Sequence, residues 1–199
     1  MTNTELKTKL FSQIIAIGKE KALFPLADSE IDATIKQLEK SNPTKQPLDN
    51  SQKELLIGDW ELVYASNGTV VTRPLAEATI VLGSALKLNK IWQTLAISGD
   101  RLTTSNQALI ELPLIGEIYS SADGTWQPES DLKSAQVSFS AFSLQAKNLF
   151  YQPWTLPKLE IPVLEQLQSS ALWITSYLDE DTRIGQGATG NLFVFKRIP

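Results

Sequence analysis

The sequence predicts a mainly β protein, a closed antiparallel β-barrel preceded by N-terminal α-helices. Two observations support this fold class. Apolar side chains recur at helical spacing before residue 40, whereas the chain after residue 57 is divided into short β-rich segments separated by turn residues. Roughly eight to ten such segments favour an up-and-down barrel that is just wide enough for one small molecule. We therefore assign residues 1–50 to a helical segment with a linker and residues 51–199 to the barrel.

Two amphipathic helices are predicted in the N-terminal segment. The first has an apolar stripe made of Leu6, Leu10, Ile14 and Ile17. The second can be capped by Asp28 or Ser29, and its apolar face consists of Ile31, Ile35 and Leu38. The polar faces carry charges of both signs, which favours packing against the barrel over lying on a lipid surface. The polar, proline-flanked stretch Thr44–Asn50 is the predicted linker.

The barrel strands are predicted from apolar patterning between turns. A capping box at Ser51–Glu54 opens one helical turn, and alternation in the strand that follows places Trp60, Leu62 and Tyr64 on one face. The Asn67–Gly68 pair supplies a hairpin turn, and further turns are expected at 98–100 and 122–124. The remaining β-rich segments lie at 69–72, 77–82, 91–97, 101–104, 108–112, 117–120, 136–143, 172–178 and 191–197.

Composition excludes several function classes. With no Cys and no His, the chain has no thiolate nucleophile, imidazole base, or ordinary zinc or haem ligand. A carboxylate-only hydrolase or a lysine-based site stays open, but most familiar catalytic constellations are excluded, so we predict a protein without catalysis, metal or cofactor. The net charge of −4 argues against a nucleic-acid partner. The N-terminus shows neither a signal-peptide nor a transit pattern, which predicts a cytoplasmic protein. Apolar runs are too short to span a bilayer, so any membrane contact would be peripheral.

A Gly-x-Trp motif, Gly58-Asp59-Trp60, opens the first predicted strand. In lipocalin-like barrels a tryptophan at this place packs across the closed end. The last strand ends at Arg197, whose guanidinium can stack on the indole, because a cation is attracted to the face of an aromatic ring. Trp60 and Arg197 are therefore predicted to have structural roles.

The glycine-rich segment Gly185–Gly190 matches the Gly-x-Gly-x-x-Gly pattern of dinucleotide-binding proteins. That pattern binds a pyrophosphate where it opens a helix within a βαβ unit. Here it precedes the apolar strand-like residues 192–195. We therefore predict a turn between the last two strands and no nucleotide site.

Three carboxylates stand beside an arginine in the stretch Asp179–Arg183. A calcium loop would need alternating ligands and a more distant glutamate, and adjacent strand residues point to opposite faces. The stretch is interpreted as a solvated turn in which Asp179 and Arg183 form a structural ion pair.

A proline-rich but apolar segment runs from Tyr151 to Leu164. Its prolines exclude a central strand, so it either covers the core as a lid or lies exposed at the barrel mouth. At the mouth, Trp154 would contact a ligand or a lipid surface, because its amphipathic ring suits an interface.

Two separated stretches resemble one known family. The first runs from Leu38-Glu39-x-x-Asn42-Pro43-Thr44 to Leu55-Leu56-x-Gly58-x-Trp60-x-Leu62-x-Tyr64. The second is Ser176-Tyr177-Leu178-Asp179-Glu180-Asp181-x-Arg183-Ile184 followed by Gly190-Asn191-Leu192-Phe193-Val194-Phe195. Both are similar to the plastid lipid-associated proteins, also called fibrillins or plastoglobulins. The resemblance implies a lipocalin-like fold and peripheral association with photosynthetic membranes, such as thylakoids, or with lipid droplets. It also implies binding of isoprenoid or acyl lipids such as quinones and carotenoids.

These lines of argument predict a carrier of an apolar small molecule. Its barrel pocket would be lined by Leu62, Tyr64, Trp173 and Tyr177, and Trp154 would lie at the mouth. The alternative is a structural or scaffolding protein that coats lipid surfaces or docks to a lipid- or quinone-synthesis enzyme, with a barrel filled by side chains. Cavity volume separates the two hypotheses.

Overall fold

The computed structural model describes residues 1–24, 30–69, 72, 87–112, 116–162 and 170–199, with the side chains of residues 151, 161 and 162 left aside. Its helices are α1 (Asn3–Ile17), α2 (Lys19–Leu23), α3 (Glu30–Lys40) and α4 (Lys53–Leu56). Its strands are β1 (Gly58–Ala65), β2 (Lys87–Ser98), β3 (Arg101–Leu112), β4 (Gly116–Pro128), β5 (Ser134–Lys147), β6 (Leu159–Pro162), β7 (Ala171–Leu178), β8 (Thr182–Gly187) and β9 (Leu192–Arg197).

The strands form one antiparallel sheet that closes on itself. Neighbours follow the order β4-β3-β2-β1-β9-β8-β7-β5-β6, and an additional pairing between β4 and β5 completes the ring. Both β6 and β7 pair with β5, β6 at residues 141–144 and β7 at residues 134–137. The nine strands of the described residues therefore occupy eight positions around the barrel, with β6 and β7 end to end in one position. The predicted fold class, a lipocalin-like barrel with N-terminal helices, is confirmed.

The barrel has two unlike ends. At the closed end, the helical turn α4 and residues 55–57 lie across the strands that begin at Gly58 and end at Arg197. At the other end, which we call the open end, β2 to β5 are 12 to 14 residues long and extend past β1, β8 and β9, which have six to eight residues.

The N-terminal helices pack on the outside of the barrel. Their buried residues form a second core together with outward side chains of the barrel strands. The helices contribute Leu6, Leu10, Ile14, Ala22, Ile31, Ile35 and Leu38. Strands β1, β7, β8 and β9 contribute Tyr64, Tyr177, Ile184, Leu192 and Val194. Leu23 of α2 instead belongs to the core inside the barrel. The Thr2 side chain and Glu5 form a capping box at the start of α1.

Several predicted boundaries need correction. The turn expected at 122–124 lies inside β4, where a side chain at Gly124 would collide with the Ser138 carbonyl, so this glycine permits a close backbone approach instead of a turn. Asp49, and not Ser51, caps the turn before β1. The segments predicted at 101–104 and 108–112 are one strand, β3. The turn at 98–100 is confirmed between β2 and β3. The predicted caps Asp28 and Ser29 and the segment 77–82 lie outside the described residues.

Candidate functional site

The closed end is held by a tryptophan and an arginine. The Trp60 indole N–H donates to the Leu56 carbonyl at 2.9 Å, and the Arg197 guanidinium carbon lies 4.2 Å from the centre of the Trp60 ring. Arg197 also donates to the carbonyls of Leu55, Ile57 and Glu180. The guanidinium thus joins the last strand to the backbone of the covering turn.

Gly58 makes room for this arginine. Its φ is +124°, and a Cβ atom there would lie 2.7 Å from Arg197 Nη1. An L side chain would therefore meet both backbone strain and a clash with the guanidinium. The Gly-x-Trp motif therefore needs glycine at residue 58, because the Arg197 side chain, from the last strand, occupies the space that a Cβ atom would take.

The closed half of the barrel is filled with aromatic and aliphatic side chains. Leu62 is buried there, and the Trp173 ring is 5.9 Å from that of Trp126 and 6.1 Å from that of Phe195. A side chain at Gly185 would overlap the Trp173 ring, so this glycine, predicted to belong to a turn, instead supports an indole inside the barrel. Leu62 and Trp173 therefore face inward, as predicted.

The orientation predicted for two tyrosines is wrong. Tyr64 and Tyr177 point outward into the helical core, where Tyr64 Oη donates to Asp32 and Tyr177 Oη donates to Asp179, each at 2.7 Å. The reason is a register shift in each strand, between Leu62 and Tyr64 and between Thr175 and Tyr177. One extra residue in a strand moves the following side chains to the other face.

The predicted ion pair between Asp179 and Arg183 is also wrong. Arg183 lies fully buried inside the barrel, whereas Asp179 and Asp181 face α1 and bind Lys7 Nζ at 2.8 and 2.6 Å. Desolvation opposes ionisation of Asp181, but hydrogen bonds from Lys7 and Thr182 outweigh it and lower its pKa to about 2. Burial, followed by the hydrogen bond to Asp179, raises the pKa of Tyr177. The acidic turn therefore anchors the first helix.

Apolar side chains on the inner face are exposed at the open end. Ile91 of the inner core pairs with Ala108, and this row continues through Ser120 to Leu144 and Leu159. Directly paired residues share a face, so Leu144 and Leu159 face the barrel interior. Yet both are exposed, as is Phe142, whose ring stacks on inner Phe139 at 6.2 Å. Within the part of the chain that the structure describes, the inner face is thus accessible on this side.

More exposed apolar residues adjoin this opening. Of the ten exposed large apolar residues of the described chain, six fall between residues 142 and 159, and they are 45% to 63% exposed. We call them the apolar rim, and they are Phe142, Leu144, Phe150, Trp154, Leu156 and Leu159. The Leu156 N–H donates to the Ala146 carbonyl at 3.0 Å, which fixes the segment beside the end of β5. Trp154 and Leu156 therefore lie at the mouth and do not form a buried lid.

Two clefts in the described part of the chain are lined mainly by polar and charged residues, and the second lies at the open end, where β3 and β5 end and β4 begins. One, of about 410 Å³, lies between α3 and β7 and is lined by Glu39, Asn42, Lys45, Lys133, Ile174, Thr175, Ser176 and Gln186. The other, of about 370 Å³, is lined by Glu111, Gly116, Glu117 and Asn148. Neither includes the predicted ligand-binding residues Leu62, Tyr64, Trp173, Tyr177 or Trp154.

Comparison with known proteins identifies the family, since the chain matches PAP_fibrillin over residues 4–196. It belongs to the PAP_fibrillin family. Plastoglobulin-1, chloroplastic, of Pisum sativum is 30% identical over 85% of this chain and 54% of its own length. Plastid lipid-associated protein 3, chloroplastic, of Brassica campestris is 27% identical over 85% of this chain and 54% of its own.

The chain spans about half the length of these PAP_fibrillin relatives. The names of the relatives place them in chloroplasts and give no support to the cytoplasmic location expected from the sequence. None of the helices among the described residues is long and apolar enough to cross a membrane.

The two stretches that resemble PAP_fibrillin proteins meet at one place in the structure. Asn42 Nδ2 donates to the Ser176 carbonyl at 2.9 Å, the Leu178 N–H donates to Asn42 Oδ1, and Thr44 Oγ1 donates to the Leu178 carbonyl. These bonds satisfy the backbone of β7 beside its register shift. Local patterning predicts only that Thr44 begins a linker, and it gives no signal for the buried contacts of Asn42 and Thr44 with β7.

Inside the barrel, sequence reasoning missed a polar chain that crosses three strands. Arg183 of β8 donates to Gln93 of β2, whose amide donates to Asn106 Oδ1 of β3 at 2.6 Å. Alternation along β2 and β3 places Gln93 and Asn106 on the inner face, and this was the available signal. It could not be used from the sequence, because it depends on knowing which residues of β2 and β3 are paired.

Proposed function

We propose that this chain is a non-catalytic lipid-binding protein that holds an apolar small molecule at the open end of its barrel. The ligand classes are isoprenoid quinones, carotenoids and acyl lipids. The observation that carries the proposal is the exposure of Phe142, Leu144 and Leu159 on the inner face of the open end. The names of the family relatives, which describe lipid-associated and plastoglobule proteins, support the same chemistry.

The physical argument is that inward apolar side chains are normally removed from water. Covering a large apolar side chain contributes about 1.5–3 kcal/mol when burial is complete, so several half-exposed side chains facing one opening favour an apolar occupant. The row of paired inner residues that runs from Ile91 to Leu159 has few polar groups, since Ser120 is its hydrophilic member, between Ala108 and Leu144. Such a lining suits a hydrocarbon chain or isoprenoid and offers little to a polar metabolite.

We further propose that the apolar rim rests on a lipid surface of photosynthetic membranes or lipid droplets. Trp154, Leu156 and Phe150 are exposed beside the opening, so a membrane or droplet surface would cover them and face the barrel mouth at once. The net charge of −4 makes attraction to anionic lipids a poor driving force. This contact is peripheral and apolar.

Titration with decyl-plastoquinone, β-carotene and laurate tests the proposal, with fluorescence of the five tryptophans as the readout. We expect saturable quenching by at least one class, because Trp173 and Trp126 lie inside the barrel. The double variant Phe142→Ser, Leu144→Ser should weaken binding about tenfold. Its matched control is Ile15→Ser, which changes an exposed apolar residue on α1. No saturable response to any class would overturn the carrier proposal.

A structural role is the second candidate, because the closed half of the barrel is filled by Trp60, Trp126, Trp173 and Phe195. In that case the apolar rim alone would bind lipid surfaces or a lipid-synthesis enzyme. The same titration separates the two functions: vesicle binding without saturable small-molecule binding would favour the structural protein.

A further inference from the structure

A cation is buried among aromatic rings inside the barrel. Arg183 is 0% exposed, and its guanidinium carbon lies 4.4, 5.2 and 5.9 Å from the ring centres of Phe195, Trp60 and Trp126. This position is deeper in the barrel than the open end, because β8 pairs Arg183 with Phe195 of the closed half. The described residues give this cation no salt bridge, since the nearby Asp179 and Asp181 bind Lys7.

Three hydrogen-bond donors at this place lack acceptors. Arg183 Nη2 donates to Gln93 Oε1, but Arg183 Nε, Arg183 Nη1 and the Trp126 indole nitrogen are buried without a partner among the described residues. The neighbouring Asn106 Oδ1 already accepts from Gln93 and, at 3.4 Å, from Thr104. All three unpaired atoms are donors, so what the site lacks is an acceptor, and the charge calls for an anion.

The electrostatics point the same way. Desolvation, together with the positive charge of Arg197, lowers the pKa of Arg183 to about 9, so the guanidinium is still charged at neutral pH. A guanidinium presents its N–H groups as a planar fork that matches the two oxygens of a carboxylate. A neutral quinone or carotenoid offers no charge to this fork.

We propose that Arg183 and the Trp126 indole N–H bind the carboxylate head group of an acyl lipid whose chain runs toward the open end. This proposal rests on the proposed lipid-binding function and narrows its ligand class to acyl lipids with a free carboxylate. Trp173, whose ring lies 5.9 Å from Trp126 and 5.4 Å from Phe193, stands between the head-group site and the open half. Its ring would move aside or pack along the first carbons of the chain.

The alternative is that the aromatic faces alone satisfy Arg183, since desolvated cation–π contacts are favourable. The wild-type protein distinguishes the two with three probes, laurate, methyl laurate and acetate, followed by calorimetry at pH 7.5. We expect laurate to bind at least tenfold more tightly than methyl laurate. Acetate should bind far more weakly than laurate, because it lacks the chain that reaches the open end.

Variants then test whether the preference for laurate over methyl laurate comes from the Arg183 guanidinium and the Trp126 indole N–H. Arg183→Met should bind laurate and methyl laurate equally, whereas the matched control Arg101→Met, at an exposed arginine at the start of β3, should keep the preference. Trp126→Phe, which removes one N–H, should weaken laurate binding several-fold and leave methyl laurate binding less affected. If Arg183→Met does not fold, Arg183→Gln takes its place, and the comparison of laurate with methyl laurate in the wild-type protein still tests the carboxylate site.

Equal affinity of the wild-type protein for laurate and methyl laurate would overturn the carboxylate site and leave the lipid-binding proposal standing. Acetate binding as tightly as laurate would reduce the site to one for small anions and would also overturn it. No binding of laurate, methyl laurate or the quinone and carotenoid probes would overturn both proposals.

Discussion

The two ends of the barrel use the same residue types in opposite ways. At the closed end, Trp60 is fully buried, and its own indole N–H and the Arg197 guanidinium stacked on it are bonded to backbone carbonyls. At the open end, Trp154 is 62% exposed and lies on a segment that meets β5 at its edge. The difference shows that tight packing and exposed apolar surface are separated along the barrel axis, so we expect substitutions at the two ends to affect different measurements.

The largest effect is expected from Trp60→Ala. Removing a fully packed indole should lower the free energy of unfolding by about 3–5 kcal/mol, because a cavity is left and Arg197 loses its ring. Urea denaturation followed by circular dichroism measures it. The matched substitution Trp154→Ala should change stability by less than about 0.5 kcal/mol. Similar losses for both variants would abolish the proposed contrast between the ends.

Gly58→Ala should have the next largest effect, about 1–3 kcal/mol, because the residue has φ +124° and its Cβ would press on Arg197 Nη1. Gly99→Ala is the control. Gly99 also has a positive φ, +59°, but no heavy atom lies within 4 Å of its Cβ position, so about 1 kcal/mol is expected. A smaller loss at Gly58 than at Gly99 would show that Arg197 moves freely and does not lock the closed end.

The attachment of α1 should contribute less. Lys7→Met removes the ion pairs with Asp179 and Asp181 and should cost about 1 kcal/mol or less, since these groups are partly exposed. The pKa of Asp181 is lowered to about 2 in the folded protein from 3.8, so its contribution is present above pH 4 and is lost as pH falls through 2.

Urea denaturation of the wild-type protein and Lys7→Met between pH 2 and 7 tests this pH dependence, with Lys9→Met as the control for charge alone. The difference between wild type and Lys7→Met should shrink as the solution is acidified toward pH 2. A constant difference would mean that the acidic turn does not hold the helix through charge.

The smallest effect on stability, and the largest on lipid contact, is expected from Trp154→Ser combined with Leu156→Ser. Both side chains are exposed, so the unfolding free energy should change by less than about 0.5 kcal/mol per residue. Sedimentation with vesicles of galactolipid or phosphatidylcholine should fall several-fold and should not depend on salt. Equal partitioning of the double variant, or release by salt, would place the membrane contact elsewhere.

Sequence reasoning worked where a structural feature follows from local pattern. The Gly-x-Trp motif and the terminal arginine predicted the closed end, and the prolines around Trp154 predicted an apolar segment outside the central strands. It failed where a residue depends on distant partners. Arg183 was placed in a solvated turn because it follows three carboxylates, yet its own side chain points to the other face, into a barrel assembled from β1, β2, β4 and β9.

The tyrosines show a second kind of limit. Strict alternation predicts that Tyr64 shares a face with Leu62 on β1, and that Tyr177 shares a face with Trp173 on β7. The composition of these strands gives no sign that the alternation is interrupted. The break in alternation arises from strand pairing, because it depends on which residues of β9 lie opposite β1 and which residues of β8 lie opposite β7. Only the register between strands reveals it.

Those two register shifts mark Val63 and Ser176 as the extra residues of β1 and β7. If Val63 were deleted, Tyr64 would directly follow Leu62, and simple alternation would keep Tyr64 toward the helices and Ala65 inside the barrel. If Ser176 were deleted, alternation after Thr175 would likewise keep Tyr177 outside and Leu178 inside. We therefore expect the two cores to tolerate loss of either extra residue better than loss of a neighbouring residue such as Leu62 or Tyr177, which would remove a core side chain.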